Sequence, residues 1–262
     1  MTAYINEEIL CEAYTKLDID IFHDKRKLAQ LEKELIGFFT ERAKFYIGND
    51  VEIRIEFEKG SLITKLKVVG SAALIVASAI AEYGSFREGI SQMTKDAATL
   101  AHSANLEVTF RTRAAHCDRI SAERRKGIFG RVDDLILRLD SVHAELVNSK
   151  IPTSTAAVKK FNGITDKLLE WDRSSDKFFG KLTDDPTIAC LSAGLLEELE
   201  KLPEAAPWSD ELNGKSFRNA IANSTATLGG DVAGAAARYE ATIREVKKGM
   251  RRRVDPYDVK KT

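Results

Sequence analysis

Residues 51–90 read VEIRIEFEKGSLITKLKVVGSAALIVASAIAEYGSFREGI, and the change of period inside this stretch decides the fold. Val51, Ile53, Ile55 and Phe57 alternate with Glu52, Arg54, Glu56 and Glu58, the period of two of a half-buried strand. After Lys59-Gly60, Leu62, Thr64, Leu66 and Val68 alternate with Lys65 and Lys67. A two-residue turn at Lys59-Gly60 predicts a hairpin over about 51–68, with Phe57 opposite Leu62, Ile53 opposite Leu66 and Glu52 opposite Lys67. Apolar pairs then share one face and the charge pair lies on the other. An isolated hairpin is marginal in water, so its apolar face must cover something, and the segment that follows is the nearest candidate.

That segment, Val68 to Ala81, runs fourteen residues without a charge. As a helix it spans about 21 Å, short of the roughly 30 Å hydrocarbon core of a bilayer. With Glu82 tolerated it extends to Phe86. Such a run is ample for a buried core helix and marginal for a membrane span.

Outward from this stretch the chain reads as helix. Leu28, Leu31, Leu35, Phe38 and Phe45 recur between Asp24 and Tyr46 at steps of three, four and seven, with Gly48-Asn49 as the stop. Beyond Phe86 everything is expected to be helical. Ile90, Met93, Ala97 and Leu100 mark one face, and Ile128, Val132, Leu135, Leu139, Val142 and Leu146 form a near-heptad seam. Phe161, Ile164, Leu168, Trp171, Phe178 and Leu182 follow the turn at Pro152. Asp185-Pro186 opens a helix through Ile188, Leu191, Leu195 and Leu199, and Pro207-Ser209 opens a last one through Phe217, Ile221, Leu228, Val232, Tyr239, Ile243 and Val246. The expected fold is mainly α: a long-helix bundle with one accessory β-hairpin leading into a short apolar helix. It forms a single domain over 1–262, or two halves, 1–150 and 151–262.

Composition excludes several functions. Forty basic and forty acidic residues cancel, which argues against a dedicated nucleic-acid protein. Three scattered cysteines (Cys11, Cys117, Cys190) and four histidines suggest neither a disulfide framework nor a metal site, so no cofactor is expected. With Glu7, Glu8 and Glu12 and no basic end followed by an apolar run, the N-terminus is not expected to be a secretory signal, and free cysteines fit a cytoplasmic compartment.

Catalytic motifs are equally scarce. A phosphate-binding G-x-x-x-x-G-K-[ST], a G-x-G-x-x-G and a G-x-S-x-G are all missing. Side chains of adjacent helical residues diverge by about 100°, so His116-Cys117-Asp118 does not make a nucleophile and base. His102 and His116 fall on one face only if one straight helix carries both, and His23 and His143 stand alone. Asp184-Asp185 reads as a helix cap and Asp133-Asp134 as a solvated face. Arg111, Arg113, Arg119, Arg124, Arg125 and Lys126, interleaved with Asp118 and Glu123, read as helix-face ion pairs. An enzyme is not expected, nor a small-molecule substrate.

The apolar segment admits two readings. Ala73, Ala77 and Ala81 form a small-residue stripe, matched by Ala226, Gly230 and Gly234 in the last helix. Such stripes let backbones approach closely, and the two pack together if the segment is core. In the other reading the segment meets a membrane. Val68, Val69, Leu74, Ile75, Val76 and Ile80 then insert, and Tyr83, Phe86 and Arg87 sit at headgroup level. Lys247, Lys248, Arg251, Arg252 and Arg253 contact anionic headgroups, or equally favour the helix C-terminus through its dipole.

The charged hairpin VEIRIEFEKGSLITKLKV, the small-rich apolar stretch and YGSFREGI together resemble the order of elements in small prokaryotic membrane effectors of phage-defence type. Long helices around a short apolar insertion are similar in plan to α-helical pore-forming toxins. The resemblance implies a non-enzymatic effector that converts from a soluble form, assembles as a homo-oligomer and perturbs a bilayer through residues 68–81, associating with the membrane on activation. The alternative is a soluble helical scaffold or adaptor acting through a protein partner.

Overall fold

The computed structural model describes residues 9–58, 61–125, 127–147, 154–206 and 229–255. Among them the fold is mainly α, with seven α-helices and one small four-stranded antiparallel sheet. The chain divides into two compact units, 1–133 with 181–187, and 134–180 with 188–262. The division falls within a helix at Asp133.

In the first unit the order is β1 (Ile9–Leu17), α1 (Lys25–Tyr46), β2 (Val51–Glu58), β3 (Leu62–Gly70), α2 (Ala72–Tyr83), α3 (Phe86–Arg111), a 3-10 turn at His116–Asp118 and β4 (Arg119–Arg125). The strands lie in the order β2-β3-β1-β4, each antiparallel to its neighbours. This is a split β-α-β arrangement, with β3 inserted between β1 and β2. The expected hairpin is present, but it belongs to this larger sheet. Cys11, Ala13, Thr15 and Leu17 of β1 are buried together with Leu62, Thr64, Leu66 and Val68 of β3. That face is covered by α1 and α3, and α2 lies on α3. The apolar segment is therefore not what the hairpin's apolar face covers.

The hairpin register differs by two residues from the expected one. Phe57 pairs with Thr64, Ile53 with Val68 and Glu52 with Val69. A shift of two leaves every side chain on its own face, so face patterning cannot distinguish the two registers. The turn residues Lys59 and Gly60 lie outside the described residues. A side chain on Gly70 would place its Cβ 2.5 Å from the Asp50 carbonyl oxygen, so the β2–β3 end closes only around a glycine.

Local chemistry sets the helix ends. Asp24 caps α1, its Oδ1 accepting from the Arg26 and Lys27 amides, both at 3.1 Å. On α1 the buried residues are Leu31, Leu35, Phe39 and Ala43, while Phe38 is half-buried and Phe45 exposed. The apolar face is therefore rotated from the expected one. Phe38 instead carries the Arg42 and Arg111 guanidiniums, 4.4 and 5.4 Å from its ring centre. The YGSFREGI motif is a helix–helix corner. Gly84 ends α2 with φ +81°, the left-handed conformation that glycine adopts freely, and the Ser85 hydroxyl accepts the Glu88 amide at 3.2 Å to start α3.

The second unit holds most of α4 (Gly127–Val147), α5 (Ser154–Phe179), most of α6 (Asp185–Glu200) and α7 (Gly229–Val254). Leu135, Leu139, Val142, Leu146, Phe161, Ile164, Leu168, Trp171, Leu191, Leu195, Leu199, Tyr239 and Ile243 are all buried, as their spacing predicts. Trp171 Nε1 donates to the Leu135 carbonyl at 2.9 Å, joining α5 to α4. The expected start of the last helix at Pro207 falls outside the described residues, as do Ala226 and Leu228.

One buried polar bridge joins β1, α3 and β4. Thr15 Oγ1 donates to Asn105 Oδ1 at 2.6 Å, and Asn105 Nδ2 donates to the Glu123 carbonyl at 3.1 Å. Asn105→Leu strands the Thr15 hydroxyl and the Glu123 carbonyl, and is expected to cost about 1–3 kcal/mol in urea denaturation. The Asn105→Leu/Thr15→Val double variant recovers part of that loss.

Candidate functional site

The apolar segment divides between two elements. Val68 and Val69 lie on β3, and only Ala72–Tyr83 is helical, about 18 Å of helix. Its inner face is Ala72, Ile75, Val76 and Ala79, all buried. Ala79 meets α3 so closely that a Cβ on Gly89 would stand 3.2 Å from the Ala79 Cβ. The outer face carries Leu74, 56% exposed, with Ala77, Ser78 and Ala81 exposed and Tyr83 at 36%. Glu82 is the one charge in the helix. A helix that is apolar on all sides belongs in a core or a membrane. This one presents one of its sides to solvent.

Of the other residues tied to this segment, Ala73 and Ile80 are half-buried, Phe86 is buried in the first unit and Arg87 is half-buried. Ala73 donates its backbone amide to Thr187 Oγ1 at 3.3 Å. The stripe of Ala73, Ala77 and Ala81 thus lies toward the outer side, away from the face that packs. On α7 Gly234 is half-buried.

The basic C-terminal cluster is largely engaged within its own unit. Lys247 is buried, 3.3 Å from Glu200 Oε2, and donates to the Leu202 carbonyl at 3.4 Å. Arg251 pairs with Glu200, and Arg253 pairs with Asp176 while stacking 5.1 Å from the Phe179 ring centre. Lys248 reaches Glu245 at 3.9 Å, and Arg252 is exposed. Three of these five cations therefore tie α7 to α5 and α6.

A second arrangement, with no counterpart in the expected sites, occupies the face of the sheet opposite α1 and α3. Side chains stand there in rows across β2, β3, β1 and β4: Arg54, Lys67, Glu12 and Arg125, then Glu56, Lys65, Tyr14 and Glu123. Lys67 Nζ lies 2.6 Å from Glu56, Lys65 pairs with Glu58, and Arg54 Nε lies 3.0 Å from Glu52. Arg125 reaches Glu123 at 3.2 Å and Glu12 Oε1 at 3.4 Å, with its guanidinium 5.4 Å from the Tyr14 ring centre. Glu12 is 1% exposed, and its Oε2 finds no hydrogen-bond partner among the described residues. Burial raises its carboxyl to about 7; Lys67 and Lys65 oppose the rise, and Glu56 and Glu123 add to it. The clue to Glu12 was the alternation of Cys11, Ala13, Thr15 and Leu17 with Glu12, Tyr14 and Lys16.

The expected helix-face ion pairs of residues 111–131 are rearranged, because β4 occupies 119–125. Arg111 keeps a pair within its helix, to Glu107 at 2.8 Å, and adds Glu34 of α1 at 2.7 Å. His102 is on α3, which ends before His116, so no straight helix carries both. Asp118 accepts the Ala115 amide at 2.7 Å, a turn-closing role. Asp184 Oδ2 accepts the Thr187 amide at 2.8 Å and caps α6. Among the described residues no group of three or more His, Cys, Asp or Glu is arranged to hold a metal ion. No described helix is long and apolar enough to cross a membrane. Compared with family models, curated proteins and solved structures, the chain matches none.

Burial alone would raise the Glu200 carboxyl, but hydrogen bonds from Arg251 and Lys247 outweigh it and hold the group below its ordinary value. Its stabilising contribution is therefore present above the ordinary carboxylate range and lost as pH falls through the depressed value. Glu200→Gln is expected to lower the melting temperature at pH 7 by a few degrees. The gap to the parent protein closes in acid, as thermal unfolding followed by circular dichroism from pH 7 to pH 3 would register.

Proposed function

We propose that the chain acts without catalysis, as a scaffold or adaptor that docks a helix of a partner protein on the outward face of α2. The observation that carries this reading is an apolar helix whose inner side already packs on α3 while Leu74, Ala77, Ser78 and Ala81 face solvent. Small side chains at one-turn spacing admit a second helix at close range. The inner side makes the same kind of contact through Ala79 and Gly89.

Four observations favour a protein occupant over lipid. The helical part covers about 18 Å, against roughly 30 Å of hydrocarbon. Ile75 and Val76, among its most apolar side chains, are buried in the first unit, and releasing them would expose the inner face to water. Helices that lie in the membrane interface carry a basic polar face, and α2 contains no lysine or arginine. Lys65 and Lys67, upstream of the apolar run, pair with Glu58 and Glu56.

A photo-crosslinking amino acid at Ala77 tests this in cells, with exposed Lys33 on α1 as the control position. The expected result is an adduct of one defined protein mass at position 77, absent at position 33. Leu74→Arg should weaken that adduct about tenfold or more. Leu74 is largely in water, so the variant keeps its helical content. Flotation and dye release with anionic liposomes form the second arm. Leakage that Leu74→Arg abolishes would replace this reading with membrane perturbation, and absence of any protein adduct would also overturn it.

A further inference from the structure

Lys67 and Arg125, the cross-strand neighbours of Glu12, each have a second carboxylate within reach. Lys67 lies between Glu12, its direct cross-strand partner, and Glu56, to which its ammonium is bonded. Arg125 bridges Glu12 and Glu123. Lys65 sits beside this set with Glu58, and Tyr14 and then Lys16 follow Glu12 along its own strand. The buried carboxyl therefore competes with two outer carboxylates for the same two cations. Its Oε1 accepts from Arg125, while its Oε2 has no hydrogen-bond partner among the described residues and the Lys67 ammonium is held outward on Glu56.

We propose that Glu12 is a proton-operated switch of the charged sheet face. With the proton on Glu12, Lys67 remains with Glu56 and Arg125 stays shared between Glu12 and Glu123. When the proton leaves to solvent, the Glu12 carboxylate draws the Lys67 ammonium inward and takes the larger share of the Arg125 guanidinium, and Glu56 and Glu123 are released to water. The face then gains one negative charge and displays it on the outer carboxylates. Desolvation supports a working range near neutrality, since burial raises the Glu12 carboxyl to about 7.

The linkage has a definite sign. A carboxyl whose folded value is raised holds its proton better in the native state than in the unfolded chain. That contribution to stability is fully present below about 4.5 and is lost as pH rises through about 7. Glu12→Gln, which keeps the shape of the neutral form, should remove this slope.

Carbon-detected NMR titration of the carboxyl groups tests the switch in the full chain. The expected outcome is a Glu12 midpoint near neutrality, with matching inflections at Glu56 and Glu123, both lost in Glu12→Gln while backbone spectra stay folded. Lys67→Met is expected to raise the Glu12 midpoint and to abolish the inflection at Glu56 but not at Glu123. A Glu12 midpoint in the ordinary carboxylate range overturns the proposal. So does a neutral midpoint that leaves Glu56 and Glu123 unmoved.

Discussion

The first unit depends on one strand. β1 lies between β3 and β4, so Ala13 pairs with Leu66 on one side and with Arg124 on the other. Closing such separated segments onto one strand costs loop entropy before it yields contacts. The return is that β2–β3 ceases to be a lone hairpin, and a four-stranded sheet offers α1 and α3 a face worth covering. Thr15 and Asn105 reinforce this closure from inside, where a polar bridge excludes alternatives that leave its atoms unpaired.

With the sheet in place, the remaining surfaces follow. One face of the sheet is apolar and closed by helices; the other is a lattice of alternating charge in which cross-strand neighbours answer one another. Placing a carboxylate in the most enclosed row of that lattice produces the strained electrostatics of Glu12. The helix α2 follows β3 and precedes α3, and among the described residues it is buried along its inner side. One surface is thus defined by charge that is hard to satisfy and the other by apolar area that is left open.

Long helices and the hairpin were legible because their apolar residues repeat at helical or strand spacing over many turns, as from Ile128 to Leu146. β4 was not, because RISAERR is an outer strand with most side chains in water and no apolar face to display. β1 did show a period of two, but its inward residues include Cys11, Ala13 and Thr15, small enough to blur the pattern. The length of the apolar run was legible and its division was not. Val68 and Val69 are as suited to a strand as to a helix, and only pairing with β2 and β1 on either side decides between them. Gly84-Ser85 looks like an abrupt polarity break and is the cap-to-cap corner between two helices. The C-terminal cations showed their charge but not their partners, since Glu200 and Asp176 lie on other helices.

The most direct test of the central position of β1 is its interstrand nuclear Overhauser effects. The account requires contacts from β1 to both sides at once, linking residues near Ala13 to Leu66 of β3 and to Arg124 of β4 in antiparallel register. A spectrum in which β2 and β3 pair with each other while residues 9–17 contact neither β3 nor β4 would contradict it, and with it the charged face and the placing of α2.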